Sequence, residues 1–508
     1  VASSESPAAG LAAGLAAAAA AYAAALRASG ELTEWSLTGY DTTGVPVVAT
    51  AWDPPGAGAD AHGVGYGADE LEARVGALGE LAERVALAPR LGGLLAAARR
   101  ASHAQLLAEV GAGGVVDPLE LVLPAGSSVT ADTELDWVPA VRWRTGETVL
   151  VPADAAAFDG SLRSPGGPGQ LFTPVSNGLG AGAGRDALVR AVGHGLLELL
   201  QRDGDTVSFK ALDTGEVVDV DALASQLAAD GDDGLAAVLA QLRAAGTEPV
   251  VKLAASTPVP VVFCHGSAEA PGTPPLAVGA VGEAAHPDAA LAVRKALLEH
   301  AASRARRVFA FGPVEDVERL SPDYWAREQR RPVGEQEERA LREAAAWARL
   351  DVAGVRAAVE PAFSRRSRTV SVPELLAASS PGERSPADLL ELLLERLEGF
   401  DVLVVSSGPS DGAEVVSAKV VVPGLEVETL SYGRIGERVA RRLLDREDPL
   451  VRRSDGPGRL PVRLTAAATE RLGGPVWWDA ERAAAVLGSL YPLYREPRRH
   501  APQRLGLA

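Results

Sequence analysis

Four polar side chains, Arg190, His194, Glu198 and Gln201, fall within an arc of roughly 80° once residues 188–200 are wound as a helix. Leu188, Val189, Val192, Leu196, Leu197, Leu199 and Leu200 supply the helical period, and Asp186 stands where an N-cap is expected. Ahead of them lie a short strand-like run and a Gly-rich loop, residues 171–184, whose backbone N–H groups could cradle an anion at the helix start. The polar stripe behind that cradle could hold a metal or a ligand. It equally fits a solvated helix face with i,i+4 pairing.

Two further helices carry the same kind of stripe. Over about 69–87, Leu71, Val75, Leu78 and Leu81 take one side, while Gly76, Glu80, Glu83 and Arg84 share the other within roughly 100°. By itself Glu80 with Arg84 is an i,i+4 ion pair worth a few tenths of a kcal/mol. Over about 287–309, Lys295 and Glu299 share a face, whereas Arg304 lies roughly 140° from Glu299. The first two helices echo each other as E-x-x-[EQ]-R.

The elements that must position these helices read as mixed α and β. An Ala-rich helix ends at Gly30, and strands at 31–37 and 44–52 flank a turn at 41–44. A Gly-rich turn at 62–67 leads into the first polar helix. Residues 141–153 form a hairpin turning at Thr145 and Gly146. A helix is expected near 221–245, strands at 248–254 and 258–264, and another at 276–282 before the third polar helix. Residues 313–385 are charged and mostly helical, with Arg365 to Arg368 in a surface connector. Two strands follow at 400–407 and 416–424 around an acidic turn, then a basic amphipathic helix and a tail with one helix near 480–490.

Composition narrows the classes. The 508 residues are 47% hydrophobic and 23% charged, enough for a sizeable core. A net charge of −18 argues against binding a nucleic-acid backbone, so any nucleotide must be held by local cations, dipoles or metal. The single cysteine, Cys264, excludes an intrachain disulfide framework and a Cys-rich zinc site, and reads as a buried residue of a strand. Residues 8–25 lack a basic flank and a cleavage region, so they are read as an Ala-rich helix rather than a signal or membrane segment, which places the protein in the cytoplasm. The seven histidines show no H-E-x-x-H spacing, and Ala183 and Arg185 break a G-x-G-x-x-G pattern. Walker A and G-x-S-x-G patterns are absent.

Four blocks, in order, resemble the YcaO family. They are residues 40–47 with 63–84, including Glu80, Glu83 and Arg84; residues 176–203, from Ser176, Asn177 and Gly178 to Glu198, Gln201, Arg202 and Asp203; residues 278–304 with Glu299 and Arg304; and residues 417–426, a lysine followed by PGLE. The match spans about 35 to 442. Several positions depart from the family pattern: Gly76 replaces a usual Ser, Gln201 a Glu, Lys295 an Arg and Val64 a Lys, and Arg190 falls where Glu is usual.

The resemblance implies an α+β fold of mixed and antiparallel sheets with packed helices and an ATP site between the motif helices. It implies three segments: an N-terminal helical extension at 1–34, a YcaO-like domain at 35–445 with a charged helical insertion at 313–385, and a C-terminal tail at 446–508. Family members activate a peptide backbone amide by attack of a nucleophile and O-phosphorylation with ATP and Mg2+, largely a matter of positioning and charge neutralisation. Carried over residue by residue, Glu80, Glu83 and Glu198 are Mg2+ ligands. Arg84, Ser176, Asn177, Gln201, Arg202, Lys295, Glu299 and Arg304 serve the nucleotide. Azoline-forming members commonly end in alternating prolines and this chain ends REPRRHAPQRLGLA, which leaves thioamidation beside azoline formation. The implied partners are a precursor peptide and a separate leader-binding, E1-like or TfuA-like protein, with a homodimer left open. The alternative is a degenerate, non-catalytic peptide-binding or scaffold subunit of a peptide-modifying complex.

Overall fold

The computed structural model describes all residues except 1–6, 56–60, 165–168, 183, 383 and 409–414. The acidic turn expected between the last two strands, and Ala183, therefore lie outside the described residues. The chain divides into two compact units, the first made of residues 1–82, 208–382 and 489–508, the second of 83–207 and 383–488.

In the first unit, a three-stranded antiparallel sheet runs Glu31–Ser36, Val47–Asp53, Ala61–Tyr66. A five-stranded sheet runs Val281–Ala285, Val261–Gly266, Pro249–Leu253, Glu216–Val218, Arg368–Val370. Its last pair is parallel and the others are antiparallel. Val251, Val262, Cys264 and Ala284 on one sheet face pack with Val293, Ala296 and Leu297 of the helix Ala289–Phe311 into a core. The expected strand at 276–282 is instead a 3-10 turn over Pro275–Gly279, and the strand starts at Val281. The consecutive prolines Pro274 and Pro275 fix φ and withhold two backbone donors, which favours that turn over a sheet ladder. The helix expected near 221–245 is broken into Val220–Ala229 and Gly234–Ala244, with Gly231 at φ 91° between them. The Arg365 to Arg368 connector also differs: Arg368 begins a strand, and Arg365 donates to the carbonyl of Ala211 at 2.6 Å.

In the second unit, strands Arg99–Ser102, Glu134–Arg142, Leu403–Ser406, Val415–Val421 and Asn177–Ala181 follow one another in an antiparallel sheet, with Thr148–Pro152 paired to Glu134–Arg142. The expected hairpin is present, its Gly146 at φ 76°. A smaller sheet joins Val451–Arg452, Trp477–Asp479 and Arg459–Pro461. The α+β architecture with mixed and antiparallel sheets is therefore the one expected.

The three polar helices are Glu70–Ala96, Gly184–Ser208 and Ala289–Phe311, called here the first, second and third motif helices. Each follows a strand with glycine on the face that meets it. A Cβ on Gly63 or Gly65 would sit 2.2 or 2.1 Å from the carbonyl oxygen of Ala77 or Ala73. On Gly178 and Gly180 it would lie 1.9 Å from the oxygens of Ala191 and Ala187, and on Gly282 2.1 Å from that of Ala296. The segments 62–67 and 178–184, expected as Gly-rich turn and loop, are thus largely strands, Ala61–Tyr66 and Asn177–Ala181. Their glycines let a helix backbone lie directly on the strand backbone. The second motif helix begins at Gly184, so Asp186 sits inside its first turn and is not the N-cap. The N-terminal helix Pro7–Ser29 buries Ala19, Ala23 and Leu26. Ala12–Ser29 has the length and composition of a membrane span, and among the described residues it is the single helix that does.

Candidate functional site

In the first unit, Glu80 and Glu299 are both tied to the strand Ala61–Tyr66. The backbone N–H of Val64 donates to Glu80 Oε2 at 2.7 Å, and the Tyr66 hydroxyl donates to Glu299 Oε2 at 3.1 Å. Burial first, and then the charge and hydrogen bond of Glu299 and the charge of Glu80, push the Tyr66 phenol well above its usual range. The phenol therefore stays a donor. Lys295 is half-buried on the same helix, and burial lowers its ammonium against the opposing pull of Glu299. Arg304 is placed elsewhere. Fully buried, it donates bidentately to Asp41 at 2.8 and 3.1 Å and contacts both oxygens of Glu269 at 2.6 and 2.7 Å. With Nε, Nη1 and Nη2 all held by internal carboxylates, Arg304 anchors the third motif helix in the core.

In the second unit, the backbone N–H of Ser176 donates to Glu198 Oε2 at 2.8 Å, while Arg202 Nη2 lies 3.9 Å from Glu198 Oε1. Ser176 is left-handed at φ 68° and its hydroxyl donates to the carbonyl of Val420 at 2.6 Å, so this residue holds the turn that aims its N–H. Arg190 and His194 are exposed, and Glu198, Gln201 and Arg202 are half-buried, which gives the second motif helix the accessible polar stripe expected of it. Asn177 is 3% exposed and its Oδ1 has no hydrogen-bond partner among the described residues. Glu83 is 7% exposed and Arg84 half-buried. The Ser417 hydroxyl donates to the Glu83 carbonyl at 2.5 Å, fixing that turn of the first motif helix.

Three residues matter to this arrangement beyond those assigned from the sequence. Lys419, opposite Asn177 in the sheet, donates to the carbonyls of Thr173, at 2.7 Å, and Val175. Burial pulls its ammonium down to about 7, opposed by the charges of Glu198 and Glu83. A lysine inside the apolar run 415–422 was the available signal. Glu426 of PGLE accepts the N–H groups of Gly436, Arg438 and Val439 at 2.7, 2.7 and 3.0 Å, placing a carboxyl at the start of the helix Glu437–Asp445. Asp203 accepts the Glu426 N–H at 2.8 Å and pairs with Arg438, tying the second motif helix to that cap.

The donor set of each unit is hard oxygen, which suits Mg2+, and the orphaned Asn177 Oδ1 is an acceptor awaiting a donor or cation. Among the described residues no three His, Cys, Asp or Glu side chains form a metal-holding group. The residues therefore fit Mg2+ in the mode where one or two carboxylates share the ion with phosphates and water.

Residues 64–426 match the family model described as YcaO cyclodehydratase, ATP- and Mg2+-binding. An uncharacterized protein of Methanothermobacter thermautotrophicus is 30% identical over 407 residues, covering 79% of this chain and 91% of its own length. The structure of YcaO from Methanopyrus kandleri bound with AMPPCP and Mg2+ is 20% identical at a TM-score of 0.50, covering 80% of this chain and 89% of that one. A heterocyclase solved in complex with substrate and cofactor is 15% identical at a TM-score of 0.54, and covers 79% of this chain but half, 50%, of that one.

Proposed function

The chain belongs to the YcaO family of ATP- and Mg2+-binding cyclodehydratases, and from that premise we propose that it activates a backbone amide of a ribosomally made peptide by ATP-dependent O-phosphorylation. The observation that carries the reading is a repeated device. The leading glutamate of each E-x-x-[EQ]-R motif, Glu80 and Glu198, is seated by a backbone N–H, that of Val64 or of Ser176. A carboxylate fixed by a main-chain donor keeps its charge and its direction, which is what orienting a cation and phosphates requires.

ATP, when bound with Mg2+, supplies the phosphoryl group that turns an amide oxygen into a leaving group. The proposed roles of this chain's residues follow from their settings. In the first unit Glu80 ligates Mg2+, while Lys295 and Glu299 orient the nucleotide, with Tyr66 holding Glu299. In the second unit Glu83 and Glu198 ligate Mg2+, and Arg84, Asn177, Gln201 and Arg202 bind or orient phosphate and metal-bound water. Ser176 acts through its backbone, and Lys419 holds the Thr173 and Val175 carbonyls in place. Arg304 is left out of the nucleotide group and kept in the core.

The proposed product is an azoline, a thioamide or a related group on a precursor peptide delivered by a separate leader-binding protein, in the cytoplasm. The competing reading, a non-catalytic peptide-binding subunit, draws on the lack of a three-acid metal group among the described residues. Calorimetry of the full chain with ATP, with and without Mg2+, separates the two. Mg2+-dependent binding is expected, with a stabilisation of about 2.7 kcal/mol at a hundredfold excess over the dissociation constant. Absence of any Mg2+-dependent nucleotide binding overturns the enzyme reading.

A further inference from the structure

After Lys295, the third motif helix is buried at every position to its end except two, Glu299 and Arg306. Seven residues is two turns less about 20°, so Arg306 stands almost directly above Glu299, and Lys295, Glu299 and Arg306 fall within about 40° of one another. Arg306 is one-third exposed, 33%, in contrast to Arg304 two residues earlier at 0%. The charge of Glu496 foremost, against burial, and then the charges of Glu80 and Glu299 hold the Arg306 guanidinium above its usual range, so it stands within the field of both motif carboxylates.

What aims Arg306 is the C-terminal segment. Glu496 pairs with Arg306 through Nη1, and through Nη2 at 3.3 Å, and with Arg307 at 3.1 Å. The segment is itself pinned: Arg307 Nη2 donates to the Pro492 carbonyl at 2.8 Å, Trp347 Nε1 to the Ser489 carbonyl at 3.1 Å, and Gln503 Nε2 to the Gly312 carbonyl at 2.9 Å. Glu496 lies 70 residues beyond the last one matched by the family model, Glu426.

We propose that Arg306 is a phosphate-binding residue of the nucleotide site and that Glu496 is its positioning residue. The inference rests on the reading of the chain as a nucleotide-binding enzyme. A guanidinium offers a planar fork for phosphate oxygens, and Lys295, a point charge where the family has an arginine, leaves that fork to be supplied by another residue. Glu496 takes one N–H from each of Nη1 and Nη2, which holds the guanidinium plane and leaves its Nε–Nη2 edge as the fork for phosphate oxygens.

The test is calorimetry of the full chain with Mg·ATP and with AMP, on wild type, Arg306→Gln, Arg306→Lys and Glu496→Gln. Arg306→Gln is expected to weaken Mg·ATP by roughly tenfold to a hundredfold, the range for losing a charged hydrogen bond, with a smaller loss for AMP. Arg306→Lys is expected to fall between it and wild type. Glu496→Gln is expected to weaken Mg·ATP several-fold while leaving the ratio to AMP shifted in the same direction. Equal losses for ATP and AMP, or no loss, overturn the phosphate role of Arg306, and tighter ATP binding by Glu496→Gln overturns the positioning role. A wild type that binds AMP and ATP without Mg2+ dependence, or neither, overturns the nucleotide-enzyme reading itself, so the two failures are distinguishable.

Discussion

Replacing Gly178 by alanine tests whether the motif strands are glycine-rich because helix backbone must lie on strand backbone. The new Cβ would sit 1.9 Å from the Ala191 oxygen and 3.0 Å from the Gly195 nitrogen, where ordinary contact begins at 3.4 Å. The shortfall of about 1.5 Å must come from moving the second motif helix, because both neighbours are main chain and no side chain can rotate away. Sliding the strand is no escape, since Gly178 is paired to Ala418 within a five-residue ladder. Overpacking costs about 1–3 kcal/mol where side chains can yield, so a backbone clash belongs at or above the top of that range. The entropy gained by removing a glycine offsets roughly 0.5–1 kcal/mol. A net loss of about 2–3 kcal/mol corresponds to a melting shift of roughly 4–12 °C for a body of 150–250 residues. Gly193→Ala is the matched control: a Cβ there meets nothing within 4 Å, and in a helix interior it should stabilise by about 1 kcal/mol. Because Glu198 lies seven residues beyond Ala191, the displaced helix should also stretch the Ser176 to Glu198 hydrogen bond and weaken Mg·ATP. Scanning calorimetry in which Gly178→Ala melts within about 1 °C of wild type would refute the close-packing argument.

Other outcomes follow from the same geometry. Glu80→Gln and Glu198→Gln should each abolish ATP turnover with melting temperatures near wild type, since a glutamine oxygen still accepts the Val64 or Ser176 N–H while the charge is lost; wild-type turnover in both returns these residues to simple structural pairing. Gln201→Glu should strengthen Mg2+ affinity in titrations with ATP and slightly destabilise the metal-free chain, because two carboxylates three residues apart repel until a cation lies between them; equal destabilisation with and without Mg·ATP counts against a metal site. The first unit should be acid-labile. His265, His300 and His500 are held neutral, primarily by burial, at about 3 against the usual 6.5. Below 6.5 the unfolded chain takes up protons that the folded chain refuses, so stability is present above pH 6.5 and declines as pH falls toward 3. By linkage the loss reaches roughly 4 kcal/mol across the three at pH 5.5, and a melting temperature flat between pH 7 and 5.5 contradicts it.

The helices were legible in the sequence because amphipathic periodicity survives in a single chain of letters. The stripe of Glu198, Gln201 and Arg202 is accessible, and Cys264 is fully buried in its strand, both as the pattern implied. The strands that seat those helices look like turns in the sequence for one physical reason. Glycine ordinarily punctuates loops, yet in residues 61–66 and 177–181 it recurs with period two, which marks one face of a strand as vacant for a neighbouring backbone. Residues 368–370 had no readable signal, because a three-residue parallel edge is defined by its distant partner at 216–218 and not by its own composition.

Register decided the site in the same way. Helical arithmetic put Arg304 roughly 140° from Glu299, and the motif position nonetheless suggested a nucleotide contact; the structure follows the arithmetic and closes Arg304 between Asp41 and Glu269. Breaking a buried, fully paired guanidinium in this way costs about 3–5 kcal/mol, so such a residue is expensive to turn outward during a catalytic cycle. Arg306, on the accessible stripe and partly solvated, carries no comparable penalty. The distinction gives a direct check: Arg304→Gln should lower the melting temperature of the metal-free chain strongly, whereas Arg306→Gln should leave it closer to wild type and act on ATP. The reverse pattern, a tolerant Arg304 and a fold-critical Arg306, would show that the motif position, and not the helix face, assigns the nucleotide contact.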